Sequence, residues 1–401
     1  MKSRIFGIFF LALMIFSTFS PVIAQGERPA PIDVIIGVRR GKLDSTCATV
    51  EHLGGSVHEK WLFISAFHAI LPQQAVNALK KNPNVVYVEI AGTVYALPGK
   101  KPPSPPGQSK MPEQPAQEIS WGVDRIDADV AWAYSNGTGV KIAVLDTGID
   151  YDHPDLKDNV KGGVSVVGPR TSTNPKNWKD KNGHGTHVAG IIAAENNDIG
   201  VVGVAPKAWL YAVKVLNNAG TGSYADLIDG IQWAIENGMQ VISMSLGGSS
   251  CSQALEDACN AAYNAGLILI AAAGNSGDGN PETDEVLYPA AFDSVIAVGA
   301  TDQTDQAPYW SSSGSQVELA APRVDIKSTW LDGTYETLSG TSMACPHVTG
   351  TVALIWAKDG TLSNIEVRSL LQTTAEDLGI AGKDKIYGYG LVDAGNSTLA
   401  A

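Results

Sequence analysis

The stretch VKIAVLDTGID, residues 140–150, is an apolar run that stops at an aspartate and a glycine-containing turn. A short apolar run bounded by turn residues is typical of a buried strand in a parallel sheet. Asp146 follows the run directly, which predicts that its carboxylate lies at the carboxyl end of that strand. Reacting groups and ligands gather at this edge of open α/β sheets. A solvated turn aspartate is the alternative interpretation.

Similar runs recur from about residue 119 onward and alternate with helical patterns. The strand-like runs include WLYAVKVL, QVISMSL, LILIAAA and SVIAVGA, and the helical ones include HVAGIIAAE, ADLIDGIQWAIEN and QALEDACNAAYNAG. This alternation predicts an α/β fold, a parallel sheet with helices on both faces. Residues 32–97 also alternate strand-like runs with helical ones, which predicts a small α+β domain before the sheet, a βαββαβ plait.

The chain begins with a segment typical of export. Residues 1–24 carry Lys2 and Arg4, then an apolar run, and end at Ala24 with small-residue cleavage character. A membrane-spanning helix is the alternative, but it needs about 20 apolar residues, and this run is broken at Pro21. We therefore expect a secreted, extracellular protein without a stable membrane anchor.

A second segment separates the plait from the α/β part. Seven prolines fall within residues 98–118, and this composition is typical of an extended linker exposed to proteolysis. The predicted organisation is a signal at 1–24, a plait domain at 25–97, a linker at 98–116 and the α/β domain at 117–401.

Charge divides unevenly along the 401 residues. Residues 1–110 hold 12 Lys and Arg against 6 Asp and Glu, whereas the remainder holds 16 against 35. An acidic body argues against a nucleic-acid partner, because phosphate binding needs a basic surface. The same acidity suits a protein that binds cations.

Cysteine is sparse for an exported chain, so a disulfide scaffold is excluded. If Cys251 and Cys259 lie on one helix, they are about 12 Å apart, too far for a bridge. A bridge stays open if Cys251 precedes the helix and folds back.

NGHGTHVAG, residues 182–190, places His184 and His187 between glycines where an apolar run begins. A zinc site would need a third ligand at suitable spacing, and the glutamate of helical two-histidine motifs is absent. Flanking glycines leave His184 room for a neighbouring backbone or substrate. We interpret His184 as a base and His187 as a structural neighbour.

SGTSMACPHVTG presents Ser342 at the start of an apolar helix, after Gly340 and Thr341. By itself such a serine is more often a helix cap than a nucleophile. An acid, an imidazole and a hydroxyl at the ends of strands and helices form the set that acyl transfer needs. His184 would take the Ser342 proton, while Asp146 orients the ring.

With these three motifs in the order Asp, His, Ser, the chain closely resembles the subtilisin family of serine proteases, in which the three residues follow that order. The resemblance runs from about residue 117 to YGYGLVDA near the C-terminus. It implies a secreted serine endopeptidase made as a zymogen. In that interpretation residues 25–97 are an inhibitory propeptide that also assists folding.

The resemblance also implies site residues. AAAGNSG matches the segment whose asparagine donates to the oxyanion, here Asn275. Peptide substrates would add a strand between two exposed edges, Ser245, Leu246 and Gly247 on one side and Gly220, Thr221 and Gly222 on the other. AENNDIGVVGVAP resembles a calcium loop, with side chains of Gln117, Asp155 and Asn197 and carbonyls of Glu195, Ile199 and Val201 as ligands.

Two departures from the family pattern matter. Leu287 stands where a glycine often forms the floor of the main specificity pocket, which predicts a shallower pocket. The segment between Asp146 and His184 is longer than in compact members. Two rival functions remain: a catalytically silent binding protein on the same scaffold, and an α/β-hydrolase esterase, disfavoured because G-x-S-x-G is absent around Ser342. We expect a monomer whose partners are peptide substrates and its own propeptide.

Overall fold

A computed structural model describes residues 30–97, 114–168 and 171–401. The predicted export signal at 1–24 and most of the predicted linker lie outside these ranges. Residues 114–116 of that linker are described, and the Pro115 carbonyl accepts a hydrogen bond from Gly200 N at 2.8 Å.

The N-terminal unit has the βαββαβ order that its sequence predicts. Its sheet is antiparallel with the strand order β2-β3-β1-β4. A further strand leaves this sheet and pairs elsewhere. The elements are β1 (Ile32–Val38), α1 (Leu43–His52), β2 (Ser56–Trp61), β3 (Ala66–Leu71), α2 (Gln73–Leu79), β4 (Val85–Ile90) and the departing β5 (Thr93–Ala96).

The second unit is built on a seven-stranded parallel sheet of order β16-β15-β14-β12-β7-β10-β8. This confirms the predicted α/β class. Its elements are β6 (Glu118–Ile119), α3 (Trp121–Arg125), α4 (Ala128–Ala131), β7 (Lys141–Asp146), β8 (Val160–Ser165), α5 (Pro175–Trp178), α6 (His184–Ala193), β9 (Val201–Val202), β10 (Trp209–Lys214), β11 (Thr221–Ser223), α7 (Tyr224–Glu236), β12 (Val241–Met244), β13 (Leu246–Gly247), α8 (Gln253–Asn264), β14 (Ile268–Ala272), β15 (Val295–Thr301), β16 (Val317–Pro322), β17 (Ile326–Thr329), β18 (Tyr335–Leu338), α9 (Thr341–Lys358), α10 (Asn364–Thr374) and α11 (Ala394–Ala400).

Strand β7 shows how the sheet buries both faces. Ile142 and Val144 pack in a core with α6 and α9, while Ala143 and Leu145 pack in a second core with α7 and α8. Successive side chains of a strand point to opposite faces, so a strand covered on both faces must be apolar at every position. This explains the continuous apolar run before Asp146.

The four cysteines all lie in described residues and are free. Cys251 is exposed and precedes α8, whereas Cys259 is buried inside that helix. The bridge left open by the sequence is therefore not formed. Across the described residues, no helix combines the length and apolar character that crossing a bilayer requires.

Candidate active site

Asp146 and His184 meet where β7 ends and α6 begins. The His184 ring Nδ1 lies 2.8 and 2.9 Å from the two Asp146 carboxylate oxygens, and both side chains are buried. Gly185 makes this approach possible, because a Cβ there would lie 2.2 Å from the Gly148 carbonyl oxygen and 3.1 Å from Asp146 Cβ. The glycine spacing in NGHGTHVAG thus allows close helix–strand packing.

The Asp146 carboxylate sets the charge state of His184. Burial by itself would lower the pKa of this imidazole, but the charge and hydrogen bond of Asp146 outweigh it, and the pKa is raised above its ordinary value. A carboxylate on Nδ1 leaves Nε2 as the free ring nitrogen. Within the described residues His184 Nε2 has no hydrogen-bond partner, so it is available to a reacting group.

His187 lies three residues further along α6 and has different surroundings. Its Nε2 donates to the carbonyls of Ile326 and Glu336, each at 3.1 Å. Burial lowers the pKa of His187 to about 3, so the ring is neutral. These contacts tie α6 to β17 and β18, a packing role separate from that of His184.

Ser342 is the second residue of α9 and is fully buried. Its Oγ lies 2.9 Å from the carbonyl oxygen of Leu97 and 3.0 Å from that of Ser245. The hydrogen bond expected between Ser342 and His184 is not formed among the described residues, because the hydroxyl donates to these carbonyls instead. Nucleophile–base hydrogen bonds often tighten only with substrate bound for reaction.

Asn275 follows β14 and faces the same carbonyl. Its Nδ2 donates to the Leu97 oxygen at 3.2 Å, while its Oδ1 accepts from Thr341 N and Thr341 Oγ1, both at 2.9 Å. Thr341 thereby orients the amide. The Leu97 carbonyl oxygen thus accepts two hydrogen bonds, one from the Ser342 hydroxyl and one from the Asn275 amide.

The strand that leads to Leu97 occupies a cleft between two edges. β5 pairs antiparallel with β11 at Thr221–Ser223 and with β13 at Leu246–Gly247. The backbone N of Ala96 donates to the Gly220 carbonyl at 2.8 Å. The six residues predicted from the resemblance to form two substrate-binding edges therefore flank one strand, and Ser245 contributes the carbonyl near Ser342.

Leu287 lies against two glycines beside this cleft, Gly247 and Gly274. A Cβ added to Gly247 or Gly274 would approach Leu287 side-chain atoms to 2.9 and 3.0 Å respectively. Leu97 and Leu287 belong to the same apolar cluster. The Leu287 side chain therefore packs beside the edge strand that contains Gly247, and a shallower pocket stays a prediction.

The six predicted calcium ligands are also close together. Asp155 accepts from Val201 N through Oδ2 at 3.0 Å, and its carbonyl accepts from Glu195 N at 2.9 Å. Gln117 Oε1 accepts from Asn197 N at 2.8 Å, and Asn197 Oδ1 accepts from Ile199 N at 3.2 Å. These hydrogen bonds connect the three predicted side-chain ligands to the loop of residues 195–201, which carries the three predicted carbonyl ligands.

The surroundings of the Asp155 carboxylate indicate whether these residues suit a cation. Its Oδ1 is buried without a hydrogen-bond partner, and burial raises the pKa of the carboxyl to about 7. A buried unpaired carboxylate oxygen is costly, and a bound cation would satisfy it, so the residues fit Ca²⁺. Among the described residues no group of three or more His, Cys, Asp or Glu could hold a metal, so this set depends on carbonyl and amide oxygens.

Two residues of the site have no motif that marks them in the sequence. Asp180 Oδ2 accepts from Gly183 N, Thr186 N and Thr186 Oγ1 at 2.7–3.1 Å, and so holds the loop before His184. Leu97 is predicted from the sequence only as the end of the plait. The run VYAL before Pro98 is an available signal for a strand that ends in the cleft.

Comparisons with known proteins agree on one family. Residues 137–390 match the subtilase family. Subtilisin E of Bacillus subtilis (strain 168) is 41% identical over 396 residues, 98% of this chain and 96% of its own length. M-protease of Shouchella clausii is 43% identical over 329 residues, 82% of this chain and 78% of its own.

Subtilisin Savinase of Lederbergia lenta is 47% identical over 284 residues, 71% of this chain and all of its own length. The chain is therefore a serine endopeptidase. It belongs to the subtilase family.

Proposed function

We propose that the protein is a secreted endopeptidase that hydrolyses peptide bonds through an acyl-enzyme on Ser342. The observation that supports this most directly is the Leu97 carbonyl oxygen, which lies 2.9 Å from Ser342 Oγ and 3.2 Å from Asn275 Nδ2. A carbonyl held between a hydroxyl and an amide donor is in the position of a scissile group.

The proposed roles follow from the contacts. Ser342 Oγ attacks the carbonyl carbon while His184 Nε2 takes its proton, and the Asp146 carboxylate stabilises the imidazolium that forms. Asn275 donates to the oxyanion, on which negative charge grows during the attack. His184 then returns the proton to the leaving amine, and water releases the acyl group by the same route.

His184 must be neutral to accept the proton. Its raised pKa means that protonation persists to a higher pH than in a free histidine. We therefore expect kcat/KM to fall as pH drops through that raised pKa and to be higher above it.

The plait, residues 25–97, is proposed to be the inhibitory propeptide. Its last strand, β5, pairs with both predicted substrate-binding edges, so a substrate cannot pair with them while the plait stays bound. The Leu97 carbonyl lies next to Ser342, and cleavage of the bond that follows it would release the plait from the rest of the chain.

Two measurements test the proposal. A fluorophosphonate probe should label wild-type Ser342 and leave the Ser342→Ala variant unlabelled. The same variant should accumulate as a precursor that keeps residues 25–97, as seen by mass spectrometry. Normal maturation of Ser342→Ala would disprove self-processing, and absence of labelling in the matured wild type would favour a catalytically silent scaffold.

Ca²⁺ is proposed to bind Gln117, Asp155, Glu195, Asn197, Ile199 and Val201. It would neutralise the Asp155 carboxylate and stabilise the loop after α6. A ligand present at 100 times its Kd stabilises by about 2.7 kcal/mol, so a chelator should lower Tm by several degrees. Asp155→Asn should abolish that response, while Asp158→Asn, at an exposed neighbour, should retain it.

A further inference from the structure

A cavity of about 320 Å³ lies beside the cleft and is lined by four lysines. Three come from the segment before His184 and one from the end of β10, and asparagine amides of the loop after β10 also line the cavity. The lysines are Lys176, Lys179, Lys181 and Lys214, and the amides are those of Asn217 and Asn218.

This concentration of positive charge contrasts with the rest of the enzyme. After residue 110 the chain carries 16 Lys and Arg against 35 Asp and Glu. Four of those basic residues share one cavity, whose walls would attract a carboxylate while most of the surface repels it.

The carboxylates nearest the cavity are already engaged. Lys179 pairs with Asp150 at 3.0 Å and Asp152 at 2.6 Å, so its charge is largely offset. The neighbouring Asp180 accepts several hydrogen bonds from the loop before His184.

The other three lysines differ from Lys179. Lys214 is buried and donates to the Thr147 carbonyl. Lys176 and Lys181 are exposed, and no ion pair of the described residues involves either of them. Their ammonium groups are free to meet an incoming anion.

The cavity adjoins the cleft at one substrate position. Ala96, the residue before Leu97, donates through its N to the Gly220 carbonyl. A point at the Cβ position of Gly220 lies 3.4 Å from Ala96 Cβ and 3.6 Å from Asn182 Nδ2. Asn182 Nδ2 in turn donates to the carbonyl of Asn218, in the cavity wall, at 3.0 Å.

Ala96 is not among the residues that line the cavity. A side chain in its place would have to extend past the Asn182 amide to reach the lysines. A glutamate has the required length and the opposite charge.

We propose that this cavity recognises an acidic side chain on one particular substrate residue. That residue immediately precedes the one whose carbonyl Ser342 attacks, and so corresponds to Ala96 of the plait. The inference rests on the proposed peptidase function and narrows its substrate class. The enzyme then favours glutamate followed by an apolar residue such as leucine, and the propeptide, with alanine there, leaves the cavity unused.

The size of the effect follows from the exposure of the lysines. Solvent-exposed ion pairs contribute modestly, and each is weakened by salt. Two exposed lysines and one buried lysine acting together should raise kcat/KM about 3- to 10-fold for glutamate over glutamine.

The test uses the active enzyme and chromogenic peptide anilides ending in Ala-Xaa-Leu, with Xaa as Glu, Gln, Ala or Lys. Glutamine matches glutamate in size, so the Glu/Gln ratio of kcat/KM isolates charge. We expect that ratio to exceed about 3 and to fall toward 1 in 1 M salt, because salt screens the lysines. The Lys peptide should be cleaved more slowly than the Gln peptide.

A double variant tests the source of the preference. Lys176→Gln with Lys181→Gln should lower the Glu/Gln ratio toward 1, with Lys214 left to supply the remainder, and should leave cleavage of the alanine peptide unaffected. Lys161→Gln with Lys207→Gln removes two exposed lysines near the amino ends of the strands and should keep the wild-type ratio. Equal cleavage of the Glu and Gln peptides by wild type, or a ratio unchanged in the first variant, overturns the inference, whereas no cleavage of any peptide refutes the peptidase proposal itself.

Discussion

The plait sheet and the seven-stranded sheet differ in which elements cover their faces. The larger sheet has both faces covered by its own helices. The plait sheet covers only one face itself. Ile36 of β1 packs in the plait's own core with α1 and α2, whereas its neighbour Ile35 packs in a core shared with α7 and α8 of the enzyme.

One strand therefore contributes both to the plait's own core and to its contact with the larger unit. The alternation of side chains across a strand assigns odd and even positions of β1 to separate tasks. A plait released from the enzyme would expose the second face to water, and exposed apolar surface costs about 25 cal/mol per Å².

The largest expected effects come from the matched pair on β1. Ile36→Ala should lower the plait's free energy of unfolding by about 2–5 kcal/mol, because it leaves a cavity in a small core. Ile35→Ala should leave that stability nearly unchanged and weaken inhibition of the enzyme. Urea unfolding of residues 25–97 and inhibition constants with added plait measure the two quantities, and equal responses of both variants would erase the proposed division.

Trp61 is expected to dominate the interface between the plait and the enzyme. It is fully buried, and its Nε1 donates to Asp229 on α7. Buried tryptophans at interface centres cost about 2–4 kcal/mol when truncated, so Trp61→Ala should raise the inhibition constant about 30- to 1,000-fold. Leu62→Ala, at a neighbour that is 77% exposed, is the control and should change it little.

Inhibition should also depend on pH through Asp229. Burial raises the pKa of this carboxyl to about 7, so the bound state holds a proton that the free enzyme releases near pH 4. The affinity of the plait for the enzyme is therefore highest below the pKa that Asp229 has in the free enzyme. It declines as pH rises toward 7, by at most about tenfold per pH unit. Asp229→Asn should flatten inhibition constants measured between pH 4 and 8, and a persisting slope would implicate another group.

The smallest effect concerns the cap that the plait adds to α8. The Glu89 carboxylate accepts from Ser252 Oγ, Gln253 N and Ala254 N at 2.6–3.2 Å. A carboxylate at a helix N-terminus contributes about 1 kcal/mol, so Glu89→Gln should weaken inhibition about fivefold. Glu51→Gln, at an exposed position of α1, should have no comparable effect in the same titration.

Much of the site was predictable because its signals are local. The apolar run before Asp146, the glycines around His184 and the helix start at Ser342 each follow from a few neighbouring residues. The strand in the cleft was not predictable from such signals, because the pairing of β5 with β11 and β13 joins segments more than 100 residues apart. The orientation of Asn275 by Thr341 and the lysine cavity depend on similar long-range contacts.

Local sequence patterns were enough to predict the fold class, the helices on both faces of the large sheet and the order of the reactive residue types, since periodicity and turn residues act over short range. Three features could be read only from the tertiary structure. They are the carbonyl that lies beside Ser342, the lack of a hydrogen bond between Ser342 and His184, and the face of the plait sheet that packs against the enzyme. Those outcomes depend on packing distances between remote elements, and no local pattern encodes a distance.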